Sequence, residues 1–432
     1  MVRLVGGGTG LVENQTWPSA GTAARKTRMF PQAATRNPAA PRGLCCPTRS
    51  RKRLEPPLKN GSWIGRFVER VRKVALGCRR SIFDTILATY ANLSRPSKDS
   101  PSVINIDSAI VDAAAFYDHH YAGTEPLFLR PGEMIVLGDK QNRTCRFCGR
   151  SEPEVTFKQE AHAIPESLGN KSLTNNYECD ACNQAFGKGI ENDLGNWSKP
   201  MRTFARIRGK TGIPTLKKGG LGPGWRIEYG PSGFVITQYE EDPVFEVNEE
   251  QKEVRFNLKR DAYTPIAVLK AFVKIGLTIL PAAELPNFSE ALAWIQQPDH
   301  TMGLVKEFPV IRTFQPGPMP NDLIVVMLMR RRANVSGVPY AFLILSYGNE
   351  VFQVFLPSPK QDVAIHGQKL TFPPFPVPGG PDPARYGKAS VAILDLTGRE
   401  LIKGETVSVV IGFDQMALAN ASGAAAKYPG LA

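Results

Sequence analysis

The sequence lacks several features that would assign a function class directly. None of its apolar runs approaches 18 residues, so no membrane-spanning helix is expected. Its first thirty residues contain no continuous apolar core of the kind found in secretory signals. Neither a glycine-rich phosphate loop nor a Gly-x-Ser-x-Gly motif occurs in the 432 residues. These absences argue against a membrane protein, a P-loop enzyme and a serine hydrolase.

Cysteine is scarce, and its spacing does not suggest a disulfide framework. Four of the seven cysteines form two Cys-x-x-Cys pairs, Cys145/Cys148 and Cys179/Cys182. Each pair turns both sulfurs toward one point, and two pairs supply the four thiolates of a closed tetrahedral zinc shell. The sequence therefore predicts a structural Zn²⁺ site. Thiols kept for a metal indicate a reducing environment, so a cytoplasmic location is expected.

The interval between the two cysteine pairs is longer than the roughly 15–20 residues of a plain zinc ribbon. Residues 155–157 and 162–164 are predicted to form two short strands. After the second pair, Phe186, Ile190 and Leu194 recur every four residues, which predicts a helix. The pattern indicates a hairpin, a loop and a helix that zinc holds together.

This stretch resembles the HNH endonucleases, whose active site is a hairpin and a helix around a metal ion (ββα-metal). The similarity is to the branch braced by a four-cysteine zinc site, with a histidine three residues before a proline and a closing Cys-x-x-Cys-Asn. The residues that carry the match are Cys145, Cys148, His162, Pro165, Gly169, Cys179, Cys182 and Asn183. The resemblance covers residues 145–192 and does not extend to the rest of the chain.

The resemblance implies roles for individual residues. His162 is the expected general base, because a neutral imidazole can take the proton of the attacking water. The asparagine that orients this histidine in the family is assigned to Asn176, with Asn175 as the alternative. A divalent cation, Mg²⁺ or Mn²⁺, is expected beside the histidine, and Asn183 matches one of its ligands.

One position departs from the family pattern. Ala161 stands where the acid directly before the histidine is commonly found. Glu160 is one candidate for the missing carboxylate, because residues two apart on a strand share a face. Glu191 is the other, since it lies two helical turns beyond Asn183. Each of these glutamates is also compatible with an ordinary surface position.

Positive charge is concentrated in two places. Residues 1–100 contain 19 Lys and Arg against 5 Asp and Glu, so they account for the net charge of +13. Residues 143–220 contain 13 basic and 8 acidic residues. A basic cluster directly follows the predicted helix, and it is formed by Arg202, Arg206, Arg208 and Lys210. We expect it to contact DNA phosphates, with a solvated loop as the alternative.

The chain is predicted to be α+β, with a zinc-braced ββα-metal module followed by a mixed α+β domain. Residues 1–100 form a disordered basic arm with one amphipathic helix at 62–91, which is favoured to pack on the main body. Residues 101–218 form the HNH nuclease domain, residues 219–414 an α+β domain of unknown role, and residues 415–432 a tail.

Two functions are compatible with these observations. The first is a metal-dependent endonuclease that hydrolyses DNA phosphodiester bonds, in a setting such as restriction or phage defence that the resemblance implies. The second is a zinc-containing module that binds nucleic acid or protein without cutting, which Ala161 keeps open. RNA is not excluded as the substrate, no membrane partner is expected, and the sequence does not indicate an oligomeric state.

Overall fold

The structure, a computed structural model, describes residues 2–3, 11–12, 108–141, 143–218, 224–230, 233–238, 243–304, 309–368, 370–377, 383–413, 417–419 and 425–426. The predicted basic arm and its helix at 62–91 lie outside these ranges, except for strands β1 (Val2–Arg3) and β2 (Leu11–Val12). No helix in the described ranges combines the length and the apolarity of a membrane span.

The described residues between 108 and 204 form three helices and five short strands. In chain order these are α1 (Ser108–His120), β3 (Tyr121–Gly123), β4 (Leu127–Leu129), β5 (Ile135–Leu137), β6 (Ala161–His162), β7 (Leu173–Asn175), α2 (Asp180–Lys188) and α3 (Ile190–Phe204). A 3₁₀ turn at Glu166–Leu168 lies between β6 and β7. The succession β6, β7, α2 again gives two strands and a helix, but the second strand lies at Leu173–Asn175 and not before His162 as the sequence predicted.

The described residues from 216 onward are mostly strands around one long helix. In chain order the elements are β8 (Leu216–Lys218), β9 (Trp225–Gly230), β10 (Gly233–Gln238), β11 (Phe245–Asn248), β12 (Glu253–Lys259), α4 (Pro265–Ile279), α5 (Ser289–Ile295), β13 (Pro309–Phe314), β14 (Ile324–Arg331), β15 (Ala341–Tyr347), β16 (Glu350–Leu356), α6 (Pro383–Tyr386), β17 (Ser390–Asp395), β18 (Thr406–Gly412), β19 (Ala417–Ala419) and β20 (Ala425–Ala426).

The described strands assemble into four sheets. The largest has the order β17-β13-β16-β15-β14-β3, with β4 also paired to β14. A second sheet has the order β20-β19-β1-β10-β9-β8, a third β11-β12-β18-β2, and a fourth β5-β7-β6. Only β5 and β7 pair in parallel among these strands, and the other pairings are antiparallel. The mixed α+β class expected from the sequence is therefore confirmed.

The large sheet combines strands from before and after the two cysteine pairs. Strands β3 and β4 pair with β14, although the sequence analysis placed them with the nuclease module. One hydrophobic cluster continues from Ala114 through the cysteines to Leu396. The domain boundaries at residues 100, 218 and 414 remain predictions, but the described residues on either side of 218 share a core.

Helix α4 is the central element of this core. It begins at Pro265, whose missing N–H would be unpaired at a helix start in any case. Nearly all of its residues are buried, and it packs against α3, α5, β15 and β16. A Cβ atom at Gly276 would lie 2.5 Å from Cδ2 of the buried Leu356, so glycine permits the close approach of α4 to the large sheet.

One expected strand is absent. Residues 155–157 are not a strand, and β6 pairs with β7 instead. The backbone N–H groups of Lys158 and Gln159 donate to the carboxylate of Asp180, at 3.0 and 2.8 Å, and the Thr156 hydroxyl donates to it as well. Because these groups serve the first turn of α2, this segment anchors the helix rather than extending the hairpin.

Candidate functional site

The four paired cysteines meet at one point. Their sulfur atoms all lie within 4.8 Å of one another, and the Cys148 and Cys179 sulfurs are 3.8 Å apart. The first pair lies on a tight turn in which the Gly149 amide donates to the Cys145 carbonyl at 2.8 Å. The second pair begins α2, where Cys179 is the residue before the first helical turn. The clustering predicted from the Cys-x-x-Cys spacing is confirmed.

The cluster fits a zinc ion. Tetrahedral Zn²⁺ with Zn–S bonds of about 2.3 Å places its sulfurs about 3.8 Å apart. The Cys148–Cys179 separation equals this distance, and the other sulfur separations are at most 4.8 Å. A hydrogen bond from the Cys182 thiol lowers the pKa of Cys145, whereas burial and the neighbouring sulfurs raise the pKa of Cys179 and Cys182. Four thiols this close together cannot all ionise without a cation among them, which a metal ion would provide. Four protein ligands leave no open position, so the ion would be structural.

The hairpin and helix hold His162 beside this zinc centre. Ala161 pairs with Asn175 and His162 with Thr174 across the antiparallel β6–β7 ladder. Helix α2 then starts at Asp180, where the anchoring described above fixes its first turn. The buried Phe186 of α2 stacks edge-on against Phe147 of the first cysteine turn, with ring centres 4.9 Å apart. The histidine therefore lies on a short strand that a metal cluster and a packed helix both support.

His162 opens onto a large cavity. The cavity has a volume of about 1020 Å³ and is also lined by Glu160, Glu166, Asn183 and Glu191. The His162 side chain is 20% exposed, and Nδ1 is buried with no hydrogen-bond partner among the described residues. The histidine is thus accessible to a substrate while its ring is held at the cavity wall.

Glu166 is the carboxylate found next to His162. Its Oε2 lies 3.8 Å from the imidazole Nε2, and its Oε1 accepts a hydrogen bond from Lys171 at 2.8 Å. Partial burial raises the pKa of Glu166, but the Lys171 hydrogen bond and the charges of His162, Lys171 and Lys210 outweigh it, so the pKa lies below its ordinary value. Glu166 is therefore ionised and able to stabilise a positive charge on the imidazole.

The comparison with known families agrees with this geometry. Residues 145–197 match the family model of the HNH endonucleases. No curated protein and no solved structure gives a significant match to the chain. The resemblance inferred from the cysteine and histidine pattern is confirmed, and the presence of an HNH segment (residues 145–197) suggests a nuclease.

The residues expected to hold a divalent cation all border the cavity in the HNH segment. Glu160 is exposed and Asn183 half-buried, and both side chains line the cavity. Glu191 differs, because its Oε1 lies 3.0 Å from the ammonium of the fully buried Lys274. The structure therefore brings all three candidates to one cavity and gives Glu191 a second partner.

Asn176, the residue predicted to orient His162, points away from the cavity, and a different asparagine holds the loop after His162. Asn176 does not line the cavity, and its amide donates to the Gly138 carbonyl at 3.1 Å on the exposed side of the module. Asn170, by contrast, is 1% exposed. Its Nδ2 donates to the carbonyls of Ile164 and Leu173, and its Oδ1 accepts from the amides of Ser172 and Leu173, all within 3.0 Å. Asn170 thereby fixes the loop that joins β6 to β7.

The basic cluster splits into an inward and an outward part. Arg202 is 5% exposed and donates to the carbonyls of Ser167 and Gly195 at 2.6 and 2.7 Å. Burial lowers the pKa of Arg202 and its donors have partners inside the protein, but it also lines the cavity, so its DNA contact stays a prediction and the structure adds a packing role. Arg206, Arg208 and Lys210 are exposed, and Lys210 lines the cavity, so their phosphate contacts stay a prediction.

Three residues that received no role from the sequence have recognisable signals in it. Lys270 and Lys274 are the only charged residues in the apolar stretch of α4. A buried lysine requires an anionic or polar partner, so this pattern indicates that α4 contacts carboxylates elsewhere in the chain. Asn170 follows Gly169, which has a positive φ of 96°, and this Gly-Asn pair is typical of a tight loop rather than of a free surface amide.

Proposed function

We propose that the protein is a metal-dependent endonuclease that hydrolyses DNA phosphodiester bonds at the cavity beside His162. The observation that carries the proposal is a zinc-braced histidine, in a segment matching the HNH endonucleases, that faces a cavity with both acidic and basic walls. Carboxylate and amide oxygens favour a divalent cation, and the nearby Lys210 favours a phosphate.

The residues at the cavity fit a divalent cation such as Mg²⁺ or Mn²⁺. Glu160 and Asn183 provide hard oxygen ligands, and Glu191 is the further candidate. When bound, such an ion would stabilise the charge that develops on the phosphate and on the leaving oxygen. Because Ala161 offers no carboxylate, the ligand set in this chain differs from the family pattern by one position.

His162 takes the central chemical role in this proposal. As a neutral imidazole it accepts a proton from the attacking water, and the Glu166 carboxylate 3.8 Å away stabilises the resulting imidazolium. The exposed Arg206, Arg208 and Lys210 hold the phosphate backbone without reading its sequence. The zinc ion bound by the four cysteines and the hydrogen bonds of Asn170 keep the β6–β7 hairpin rigid. This rigidity fixes the His162 imidazole relative to the substrate.

Plasmid cleavage by the zinc-loaded full chain tests the function. We expect nicking with added Mg²⁺ or Mn²⁺, no nicking without it, and a loss of about 100-fold or more in His162→Ala. His119→Ala is the matched control, because His119 is exposed and does not line the cavity, and it should cut like the wild type. The same cleavage assay with an RNA substrate in place of the plasmid shows whether the protein cuts DNA, RNA or both.

Two results would contradict the proposal. Undiminished cutting by a folded His162→Ala protein would exclude this histidine as the base. The absence of cutting by a folded, zinc-loaded wild type with either cation would favour the non-catalytic binding module. DNA affinity measured on the same samples then shows whether Arg206, Arg208 and Lys210 still bind a backbone.

A further inference from the structure

Helix α4 places a buried ammonium behind the strand that carries His162. Lys274 has no exposed side-chain surface. Its Nζ lies 2.9 Å from Oε2 of Glu178 and 3.0 Å from Oε1 of Glu191, and it donates to the His162 carbonyl at 3.4 Å. The ammonium thus donates to the His162 carbonyl and lies within ion-pair distance of both carboxylates, and its contact with Glu191 Oε1 is electrostatic because that oxygen accepts no hydrogen bond among the described residues.

The charge on Lys274 is maintained by its partners. Burial lowers the pKa of Lys274, but the carboxylates of Glu178 and Glu191 raise it by more, so the net shift is upward and the side chain stays protonated. Removing the ammonium would leave Glu178 as a buried carboxylate without a cation, a situation that proteins tolerate poorly. The three charges therefore form one unit.

The three partners of Lys274 belong to three parts of the candidate site. His162 lies on β6, Glu178 directly precedes the zinc ligand Cys179, and Glu191 lies in the first turn of α3 at the cavity wall. Asn175 of β7 donates to both Glu178 and the Ala161 carbonyl, each at 3.3 Å, so it extends the same connection. A single side chain from outside the HNH segment thus joins the strand, the second cysteine turn and the helix.

We propose that Lys274 is a positioning residue of the nuclease site, which fixes the His162 strand against the helix that carries Glu191. The inference rests on the proposed nuclease function and names a residue that lies outside the HNH segment. Its physical basis is that a carbonyl and two carboxylates bound to one buried ammonium cannot move independently. Loss of the ammonium releases β6 from α3 and displaces the imidazole from the cation site.

Lys270 provides a matched control on the same helix. It lies one turn before Lys274, is equally buried, and donates to the Gln297 carbonyl at 2.7 Å. Its ammonium lies over the Trp294 ring, 5.3 Å from the ring centre, and does not contact the candidate site. Burial lowers the pKa of Lys270 to about 8, so its ammonium is held less firmly than that of Lys274. Lys270→Met therefore removes a buried lysine from the same helix at a position that does not contact His162.

The test compares the wild type with Lys274→Met, Lys274→Arg, Lys270→Met and the double variant Lys274→Met/Glu178→Gln in the full zinc-loaded chain. Lys274→Met alone leaves Glu178 as an unpaired buried carboxylate and could misfold for that reason. The double variant removes the buried cation and the buried anion together, so it is expected to fold. For each protein we would measure bound zinc, kcat and KM on a DNA duplex, and amide hydrogen exchange in residues 160–164 and 188–195.

We expect kcat of the double variant to fall about 100-fold or more with KM nearly unchanged, because a displacement of about 1 Å costs this much. Lys274→Arg should retain about a tenth of the activity or more, since it keeps a cation at the site. Exchange should rise in residues 160–164 and 188–195 of the double variant and not in Lys270→Met.

The inference and the proposed function fail in distinguishable ways. A folded double variant that keeps its zinc, its kcat and its hydrogen-exchange protection overturns the positioning role. If the wild type does not cut, the nuclease function fails, and hydrogen exchange alone decides about Lys274. In that case, the positioning role is supported if residues 160–164 exchange faster in the double variant than in Lys270→Met. Equal exchange in the two proteins overturns it.

Discussion

Single side chains determine how the imidazole is held and what charges surround it. His162 is restrained from three directions, by the β6–β7 ladder, by Glu166 at its ring and by Lys274 at its carbonyl. Asn170 restrains the loop that follows it. These contacts are local and specific, so each can be removed by one substitution with a distinct expected result.

Glu166→Gln should lower kcat about tenfold, equivalent to ~1.4 kcal/mol of transition-state stabilisation. The amide keeps the shape of the side chain but no longer offers a negative charge 3.8 Å from the imidazole. KM for DNA should not rise, because removal of an anion does not weaken phosphate binding. Single-turnover cleavage measures both, and the exposed Glu154→Gln serves as the control. An unchanged kcat would show that Glu166 does not assist His162.

Asn170→Ala should destabilise the protein by about 3 kcal/mol, because it leaves buried carbonyl and amide groups unpaired. Asn176→Ala should cost less than about 1 kcal/mol, since it removes one exposed hydrogen bond. Urea unfolding of the two variants measures the difference. An equal loss of unfolding free energy in the two variants would mean that Asn170 does not stabilise the loop between β6 and β7.

At the residue scale the sequence supported some assignments better than others. The cysteine spacing identified the four-cysteine cluster, because metal ligands must recur at fixed spacings, and the cysteine and histidine pattern together identified the HNH segment. Asn170 and Lys274 could not be assigned in the same way, since their partners are carbonyls and carboxylates that only the folded chain brings together. Arg202 was assigned to DNA from its charge, whereas its burial depends on the packing of α3.

Among the elements, α4 has the widest influence on the site. Its sequence after Pro265 is apolar on nearly all sides, which is typical of a buried helix. The strands of the large sheet are likewise continuous apolar runs, whereas the predicted strand at 155–157 is absent. The pairing of β3 and β4 with β14 was not, because sequence periodicity contains no information about long-range partners.

The close packing of α4 yields a test at Gly276. Gly276→Ala should destabilise the protein by about 1–3 kcal/mol, because its methyl group would overlap the buried Leu356. Gly187→Ala in α2 should stabilise by about 0.5–1 kcal/mol, since a Cβ there meets none of the described atoms within 4 Å. Thermal unfolding should therefore show a lower melting temperature for Gly276→Ala and a higher one for Gly187→Ala. A stabilising Gly276→Ala would contradict the close contact between α4 and β16.

At the scale of the whole molecule, the four-cysteine cluster is part of one hydrophobic core that extends through much of the described chain. Three of the four cysteines are buried within the hydrophobic cluster that reaches Leu396. Loss of metal should therefore affect more than the local turns.

Cys148→Ser should reduce bound zinc to near zero and lower the unfolding free energy by about 4 kcal/mol when free zinc exceeds Kd a thousandfold. Because the cluster is continuous, the main unfolding transition should move to lower temperature without a new transition splitting from it. Metal analysis and calorimetry provide the two readouts, with Cys78→Ser as the control, since Cys78 fits no metal spacing. Unaltered zinc content in Cys148→Ser would refute the four-thiolate centre.

The end of α4 is completed by a residue of the first cysteine turn. Nη1 of Arg146 lies within 2.8 Å of the carbonyl oxygens of Leu277, Thr278 and Leu280, and the hydroxyl of Tyr177 donates to the Thr278 carbonyl. The turn that carries the first cysteine pair thus also supplies donors to the last carbonyls of α4, which have no partner within the helix. A distortion of this turn would therefore unpair the C-terminal end of α4 as well.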